Sequence, residues 1–170
     1  VLAKNGWNVL GSAGTTSYLK EHGIACKDAA DTVGPPILGH RVVTLSREIY
    51  AGLLSSTKED LAELERLHIS PIDLVYVNLY PLEQETKNPQ ATPASVLEKT
   101  DIGGPTLLRA AAKGRRLALS NPEQIAVLES WFSRGCLESE REEIALQFAA
   151  AAERRVADYV EASANYWEKV

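Results

Sequence analysis

Residues 71–81 read PIDLVYVNLYP and contain the clearest strand of the chain. The stretch is bounded by Pro71 and Pro81, and its centre is continuously apolar. Such a run is typical of a strand that is buried on both faces of a parallel sheet. Shorter strands are predicted at residues 8–10, 24–28 and 117–120, where apolar runs adjoin turn residues.

Helical patterns separate these strands, which indicates an α/β fold with a largely parallel sheet. The pattern is helical throughout from Ser139 to Val170, which predicts a long helical C-terminus. Two segments with several prolines are predicted to be loops, residues 31–39 and 83–93. The other predicted helices cover residues 16–22, 48–54, 58–67, 92–99, 106–113 and 122–134.

The composition indicates one globular domain that spans residues 1–170, with 45% hydrophobic residues. The net charge of -5 and the lack of a Lys/Arg cluster argue against nucleic-acid binding. The sequence shows no apolar run of about 18 residues and no signal peptide, so it predicts a cytoplasmic protein without a membrane partner.

Single residues add three expectations. Cys26 and Cys136 have no metal-type spacing and are expected to be reduced thiols. The chain contains no methionine, and its first six residues are typical of a helix end, so we expect the biological start to lie upstream. The histidines are expected to lie on the surface or to be satisfied by hydrogen bonds: His22, His40 and His68.

Two loops of small and polar residues follow predicted elements and lead into helices. Residues 11–16 (GSAGTT) either bind an anion through helix N-terminal N–H groups and hydroxyls, or form a tight turn that needs glycine. Residues 101–106 (DIGGPT) contain paired glycines that let a ligand approach the backbone closely. Asp101 is either a carboxylate that faces the ligand or a helix N-cap, which is the commoner role.

Further candidate groups lie at the ends of elements. Asn78 and Tyr80 stand at the carboxyl end of the best strand, where open α/β sheets bind ligands, although Tyr80 can equally pack on the surface. Lys113 ends a predicted helix, where it either balances the helix dipole or, in a pocket, acts as an acid or electrophile.

Three segments resemble one known family. Residues 72–81 (IDLVYVNLYP) are similar to its strand IDLVVVNLYPF, residues 101–113 (DIGGPTLLRAAAK) to its segment DIGGPTLLRAAAKN, and residues 41–45 (RVVTL) to RVKTL. The family is the IMP cyclohydrolase domain of the bifunctional purine biosynthesis protein (AICAR transformylase/IMP cyclohydrolase). The resemblance implies a three-layer α/β fold of the methylglyoxal-synthase-like, Rossmann-like type, with a mainly parallel sheet flanked by helices and a helical C-terminal extension.

The family closes the ring of 5-formamido-imidazole-4-carboxamide ribotide (FAICAR) to give IMP, needs no metal or organic cofactor, and forms homodimers. The resemblance implies that Asp101 handles the carboxamide proton, and that Lys113 and Tyr80 polarise or protonate the formyl oxygen. It also implies substrate contacts, around the base at Asn78, Leu79, Ile102, Gly103 and Gly104, and around the ribose phosphate at Ser12, Gly14, Thr15, Arg41 and Thr44.

Several positions depart from the family pattern. The lysine of RVKTL is Val43, the phosphate loop carries Ala13 where the family has glycine, and Gly114 replaces the asparagine that follows Lys113. The family's first strand is expected upstream of residue 1. The transformylase domain is not among these residues, so a separate formyltransferase protein is an expected partner.

Three functions are compatible with the sequence. The first is ring closure of FAICAR, which the retention of Tyr80, Asp101 and Lys113 favours. The second is action on a related ribotide or nucleoside in specialised metabolism, which the changes at Ala13 and Val43 favour. The third is a non-catalytic nucleotide-binding module.

Overall fold

The computed structural model describes residues 1–39 and 41–170, so the expectation for His40 lies outside the described residues. Its strands are β1 (Leu10–Gly11), β2 (Lys27–Asp28), β3 (Leu74–Tyr76) and β4 (Leu117–Leu119). β1 pairs with β2 and β3 pairs with β4, and both pairs are parallel. The predicted parallel α/β arrangement is therefore confirmed, with the strands of the described part arranged as two two-stranded sheets.

The predicted helices are present, although α1 and α7 begin three residues earlier than predicted, and the long C-terminal helix is confirmed. Two short helices, α2 and α5, overlap the first residues of the two segments that are predicted to be loops. The bounds are α1 (Ala13–Glu21), α2 (Ala30–Val33), α3 (Arg47–Leu54), α4 (Lys58–Arg66), α5 (Leu82–Glu85), α6 (Pro93–Lys99), α7 (Gly103–Lys113), α8 (Gln124–Ser133) and α9 (Glu138–Trp167). In the part of the chain that the structure describes, no helix is both long and apolar enough to cross a membrane.

The strand that is buried on both faces is β4, whereas β3 is not, so the expectation for residues 71–81 is wrong. Each residue of β4 is at most 1% exposed, while Tyr76 in β3 is 46% exposed. The difference follows from α9, which packs on β4 but not to a comparable extent on β3, whereas α7 packs on both strands. A continuous apolar run does not reveal which of its neighbours will be present.

The core consists of two clusters that share α9. Leu53, Leu108 and Val156 belong to the cluster between α3, α7 and α9. Trp131 and Phe148 belong to the cluster between β4, α8 and α9. Full burial of each such side chain contributes roughly 1.5–3 kcal/mol to the free energy of unfolding. Because α9 supplies residues to both clusters, both depend on it.

Candidate functional site

The segment from Asp101 to Gly104 joins α6 to α7 and places a carboxylate at the start of α7. Asp101 Oδ1 accepts a hydrogen bond from the N–H of Gly104 at 3.1 Å, so this carboxylate satisfies one of the free N–H groups of the first turn. In the described residues no hydrogen bond reaches the second oxygen, Oδ2. The capping role of Asp101 is therefore present, and it leaves one carboxylate oxygen available.

Tyr159 holds the backbone of this segment from α9. Its hydroxyl accepts a hydrogen bond from the N–H of Asp101 at 2.8 Å and donates one to the carbonyl of Lys99, also at 2.8 Å. The side chain is only 2% exposed, and burial raises the pKa of Tyr159 above its ordinary value. The neutral phenol thus fixes the backbone position from which the Asp101 side chain projects.

Position 104 requires glycine because neighbouring side chains come too close for a Cβ. A Cβ at this position would lie 2.4 Å from Asp101 Oδ2, 2.8 Å from Leu79 Cδ2 and 2.9 Å from Val77 Cγ1. A Cβ at Gly103 would lie 3.3 Å from the hydroxyl of Thr44. The structure therefore brings Asp101, both glycines and Thr44 together beyond the carboxyl end of β3.

The predicted residues next to β3 divide by exposure. Leu79 is 5% exposed and belongs to the core, so its side chain is not available to a ligand, and the expected contact at this position stays a prediction for its backbone. Asn78 and Tyr80 flank it and are exposed, as is Ile102 at the start of α7. These side chains border the Asp101 segment from the solvent side, because neighbours in an extended chain point in opposite directions.

Lys113 is not brought to Asp101. It is the exposed last residue of α7, and the rise of an α-helix places it about 15 Å along the axis from Gly103. Within one chain Lys113 therefore does not share a site with Asp101, and its expected role at the formyl oxygen stays a prediction. A helix of eleven residues separates the two groups.

The loop before α1 contains one buried residue that stabilises the turn and three exposed residues that a ligand can reach. Thr16 is buried and donates its hydroxyl to the carbonyl of Gly11 at 3.0 Å, and a Cβ on Gly11 would lie 2.9 Å from that hydroxyl. Ser12, Gly14 and Thr15 are exposed. The hydroxyl of Ser12, the N-cap residue, makes no capping hydrogen bond.

Free N–H groups make the start of α1 suitable for an anion. The first N–H that bonds back to the cap is that of Thr16, which donates to the Ser12 carbonyl at 2.8 Å. The N–H groups of Ala13, Gly14 and Thr15 have no partner within the described ranges, as expected for a helix start. The close approach at Gly11 supports the turn, and anion binding by the free donors after Ser12 stays a prediction.

The segment that contains Arg41 and Thr44 lies between α2 and α3. Arg41 is exposed and its Nε donates to the carbonyl of Leu38 at 3.0 Å, so its terminal nitrogens are available to a ligand. Val43, at the position where the resembling family has lysine, is half-buried. Arg47 is exposed at the first position of α3.

Two tyrosines near α7 were not predicted as site residues. Tyr159 lies within the predicted C-terminal helix, where the sequence pattern assigns it no role at the site. The hydroxyl of Tyr50 is buried and makes no hydrogen bond within the described part, and burial raises its pKa, which the nearby Thr106 hydroxyl partly opposes. Only a general rule could have pointed to these tyrosines from the sequence, since the hydroxyl of a buried tyrosine usually finds a hydrogen-bond partner.

The geometry defines a class of protein, an α/β domain that offers a ligand two helix N-termini and a carboxylate beyond parallel strands. The chain belongs to the MGS-like domain family, whose model matches residues 1–106.

The relatives agree with this family. The chain is 40% identical over 171 aligned residues to the bifunctional purine biosynthesis protein PurH of Synechocystis sp., an alignment that covers 95% of the chain and 32% of that protein. It is 46% identical over 111 residues to PurH of Halalkalibacterium halodurans, which covers 64% of the chain and 22% of the relative. The chain thus spans about a third of the length of the first of these relatives.

A solved structure is similar along nearly the whole chain. The crystal structure of ForH superposes with a TM-score of 0.82 at 33% identity, covering 98% of this chain and 88% of the other. The likeness therefore includes α9 and the residues beyond 106, which the family model does not match.

Proposed function

We propose that this chain closes the ring of FAICAR to give IMP. The observation that carries the proposal is the Asp101 carboxylate, which is held at the start of α7 by Gly104 and Tyr159 and keeps Oδ2 free. The similarity to proteins named PurH, a purine biosynthesis protein, supports the substrate class.

Ring closure requires proton transfers that these groups suit. The carboxamide nitrogen of FAICAR attacks the formyl carbon, one N–C bond forms, and the nitrogen loses a proton to Asp101 Oδ2. The formyl oxygen becomes a hydroxyl with a proton from the Tyr80 phenol. It departs as water when Asp101 passes on the proton that it took. The double bond then forms between the former formyl carbon and the formamido nitrogen, and the proton that this nitrogen loses restores the Tyr80 phenol. Such positioned proton transfers contribute about 100- to 10,000-fold to a rate.

The other predicted contacts serve substrate binding in this proposal. The free N–H groups and hydroxyls at Ser12, Gly14 and Thr15 receive the phosphate, with Arg41 adding charge. Thr44 and the backbone at Gly103 and Gly104 lie beside the carboxylate, where the base binds. Asn78 and Ile102 border the base from the solvent side.

The test is a direct assay. Purified chain is incubated with FAICAR, and IMP is measured by chromatography beside a reaction without protein, which gives the spontaneous rate. We expect IMP to form well above that rate and in proportion to the protein concentration. A rate equal to the spontaneous one contradicts the proposal. Sedimentation of the same sample tests the homodimer that is part of it.

A second candidate is action on a related ribotide or nucleoside. The half-buried Val43 favours it, since valine carries no charge or proton where the resembling family has lysine next to Thr44. The discriminating measurement compares kcat/KM for FAICAR with that for the dephosphorylated nucleoside. A preference for the nucleoside supports the second candidate. If the wild type binds nucleotide without turnover and Val43→Lys gains activity, the chain is a non-catalytic binding module.

A further inference from the structure

One face of α9 contacts both segments that carry the proposed proton-transfer groups. Arg155 and Tyr159 are four residues apart in α9, so they lie about 6 Å apart along the helix axis and on the same face. This helix packs on α7, which follows Asp101, and on α5, which follows Tyr80. Tyr159 holds the backbone of Asp101. The residue one turn before it, Arg155, has no role in the site so far.

Arg155 makes a contact with α5 that corresponds to the one Tyr159 makes with Asp101. Its guanidinium donates a hydrogen bond to the carboxylate of Glu83, and the two side chains are only 31% and 27% exposed. Burial opposes the ionisation of Glu83, but the hydrogen bond and the charge of Arg155 outweigh it, so the pKa of Glu83 lies below its ordinary value. A charge-assisted bond that is partly shielded from water holds α5 more firmly than an exposed ion pair would.

The position of Tyr80 depends on α5, which begins two residues later. The N–H of Leu82 donates to the carbonyl of Tyr80 at 2.8 Å, and the N–H of Gln84 donates to the carbonyl of Pro81 at 3.1 Å. Leu82 is fully buried in the same core cluster as Val156 of α9. The side chain of Tyr80 is 57% exposed, so little packing holds the phenol itself. Its direction therefore follows from the place of α5 on α9.

We propose that Arg155 is a positioning residue for ring closure, which sets the position of Tyr80 through Glu83 and α5. The inference rests on the proposed function, in which Tyr80 gives a proton and Asp101 takes one. One turn of α9 then fixes the spacing between the proton donor and the proton acceptor. Because Arg155 acts through Glu83 and not on the substrate, its loss should lower kcat and leave KM nearly unchanged.

The first measurement needs no substrate. Backbone amide resonances of the full chain are compared by NMR between the wild type and Arg155→Gln. We expect shifts at residues 79–81, beyond the Glu83 contact itself, and none at residues 12–16 of the α1 loop. Arg154→Gln, which removes the exposed neighbouring arginine, is the matched control and leaves both regions unchanged. Unshifted resonances of residues 79–81 in a folded Arg155→Gln variant overturn the proposal.

The second measurement is steady-state kinetics with FAICAR. Arg155→Gln should lower kcat about 10- to 100-fold, since misplacing a reacting group by about 1 Å can cost about 100-fold. Arg155→Lys keeps a charged donor for Glu83 and should restore most of the loss. A lowered Tm with unchanged kcat means that the pair is only structural, which overturns the proposal. A wild type that forms no IMP contradicts the proposed function, while the shifts at residues 79–81 still decide whether Arg155 sets the position of Tyr80.

A second variant covers the case in which Arg155→Gln does not fold. Glu83→Ala breaks the same pair from the side of α5 and leaves no carboxylate without its partner. The guanidinium of Arg155, 31% exposed, can then turn to water. We expect the same shifts at residues 79–81 and a similar fall in kcat. A folded Glu83→Ala variant with wild-type kcat and unshifted resonances at residues 79–81 overturns the proposal.

Discussion

The two ends of α7 each depend on a glycine, but for different reasons. At the N-terminal end, the neighbours that leave no space for a Cβ on Gly104 are the Asp101 carboxylate and two apolar side chains. At the C-terminal end, a Cβ on Gly114 would lie 2.0 Å from the backbone carbonyl of Leu53. The first glycine therefore leaves room for the Asp101 carboxylate, and the second allows the C-terminal ends of α3 and α7 to touch.

The charged groups at the two ends of α7 also differ. The N-terminal end carries the Asp101 carboxylate, which accepts from the Gly104 N–H, whereas four cationic side chains gather at the C-terminal end: Lys113, Arg115, Arg116 and Arg141. A single helix thus separates the proposed ring-closure site from a cluster of cations. Variants at each end should change different measured quantities.

Asp101→Asn has the largest expected effect. Asparagine keeps an oxygen for the Gly104 N–H but cannot take a proton at Oδ2, so kcat for FAICAR should fall about 100- to 10,000-fold while KM changes little. Steady-state kinetics check this, with Asp158→Asn on the exposed side of α9 as the matched control. An unchanged kcat removes Asp101 from the chemistry.

Gly114→Ala should destabilise the fold strongly. The new methyl group would meet backbone, which cannot rotate away, so we expect a loss of about 3 kcal/mol in the free energy of unfolding. Urea denaturation measures it. Gly14→Ala, in open space near the start of α1, is the control and should raise stability by about 0.5–1 kcal/mol. Equal stability of the two variants would contradict the close contact with α3.

Gly104→Ala should lower kcat/KM strongly and the free energy of unfolding only moderately. The methyl group displaces Asp101 Oδ2 and presses on flexible side chains, so we expect kcat/KM to fall more than tenfold and unfolding to cost about 1–2 kcal/mol. Kinetics and urea denaturation of the same preparation give both values. The comparison of the two helix ends fails if Gly104→Ala loses stability but keeps full kcat/KM.

Lys113→Gln has the smallest expected effect on catalysis. Because the ammonium is about 15 Å from the start of α7, we expect kcat for FAICAR to fall by less than tenfold. A loss as large as that of Asp101→Asn would mean that Lys113 reaches the reacting atoms of another copy or in another arrangement. The assay is the one used for Asp101→Asn, at saturating substrate.

Local pattern was sufficient for most elements and for the glycine loops. The start of α1 and the segment before α7 were both predicted from small residues placed before helical runs. The separation of Lys113 from Asp101 was also implicit, since a predicted helix lies between them. The contact of Tyr159 with Asp101 was not, because it joins residues 58 positions apart and depends on how α9 packs. The partial exposure of β3 was beyond local pattern for the same reason.

The hydrogen bonds of Tyr159 bear on where this protein can be divided. The family match ends at residue 106, inside α7, yet the loop that presents Asp101 is fastened from the far end of the chain. The family match therefore covers a shorter segment than the one that positions Asp101, because that position also depends on α9. A chain that ends at residue 106 would keep every loop residue of the candidate site. It would lose Tyr159, whose hydroxyl holds the backbone of Asp101.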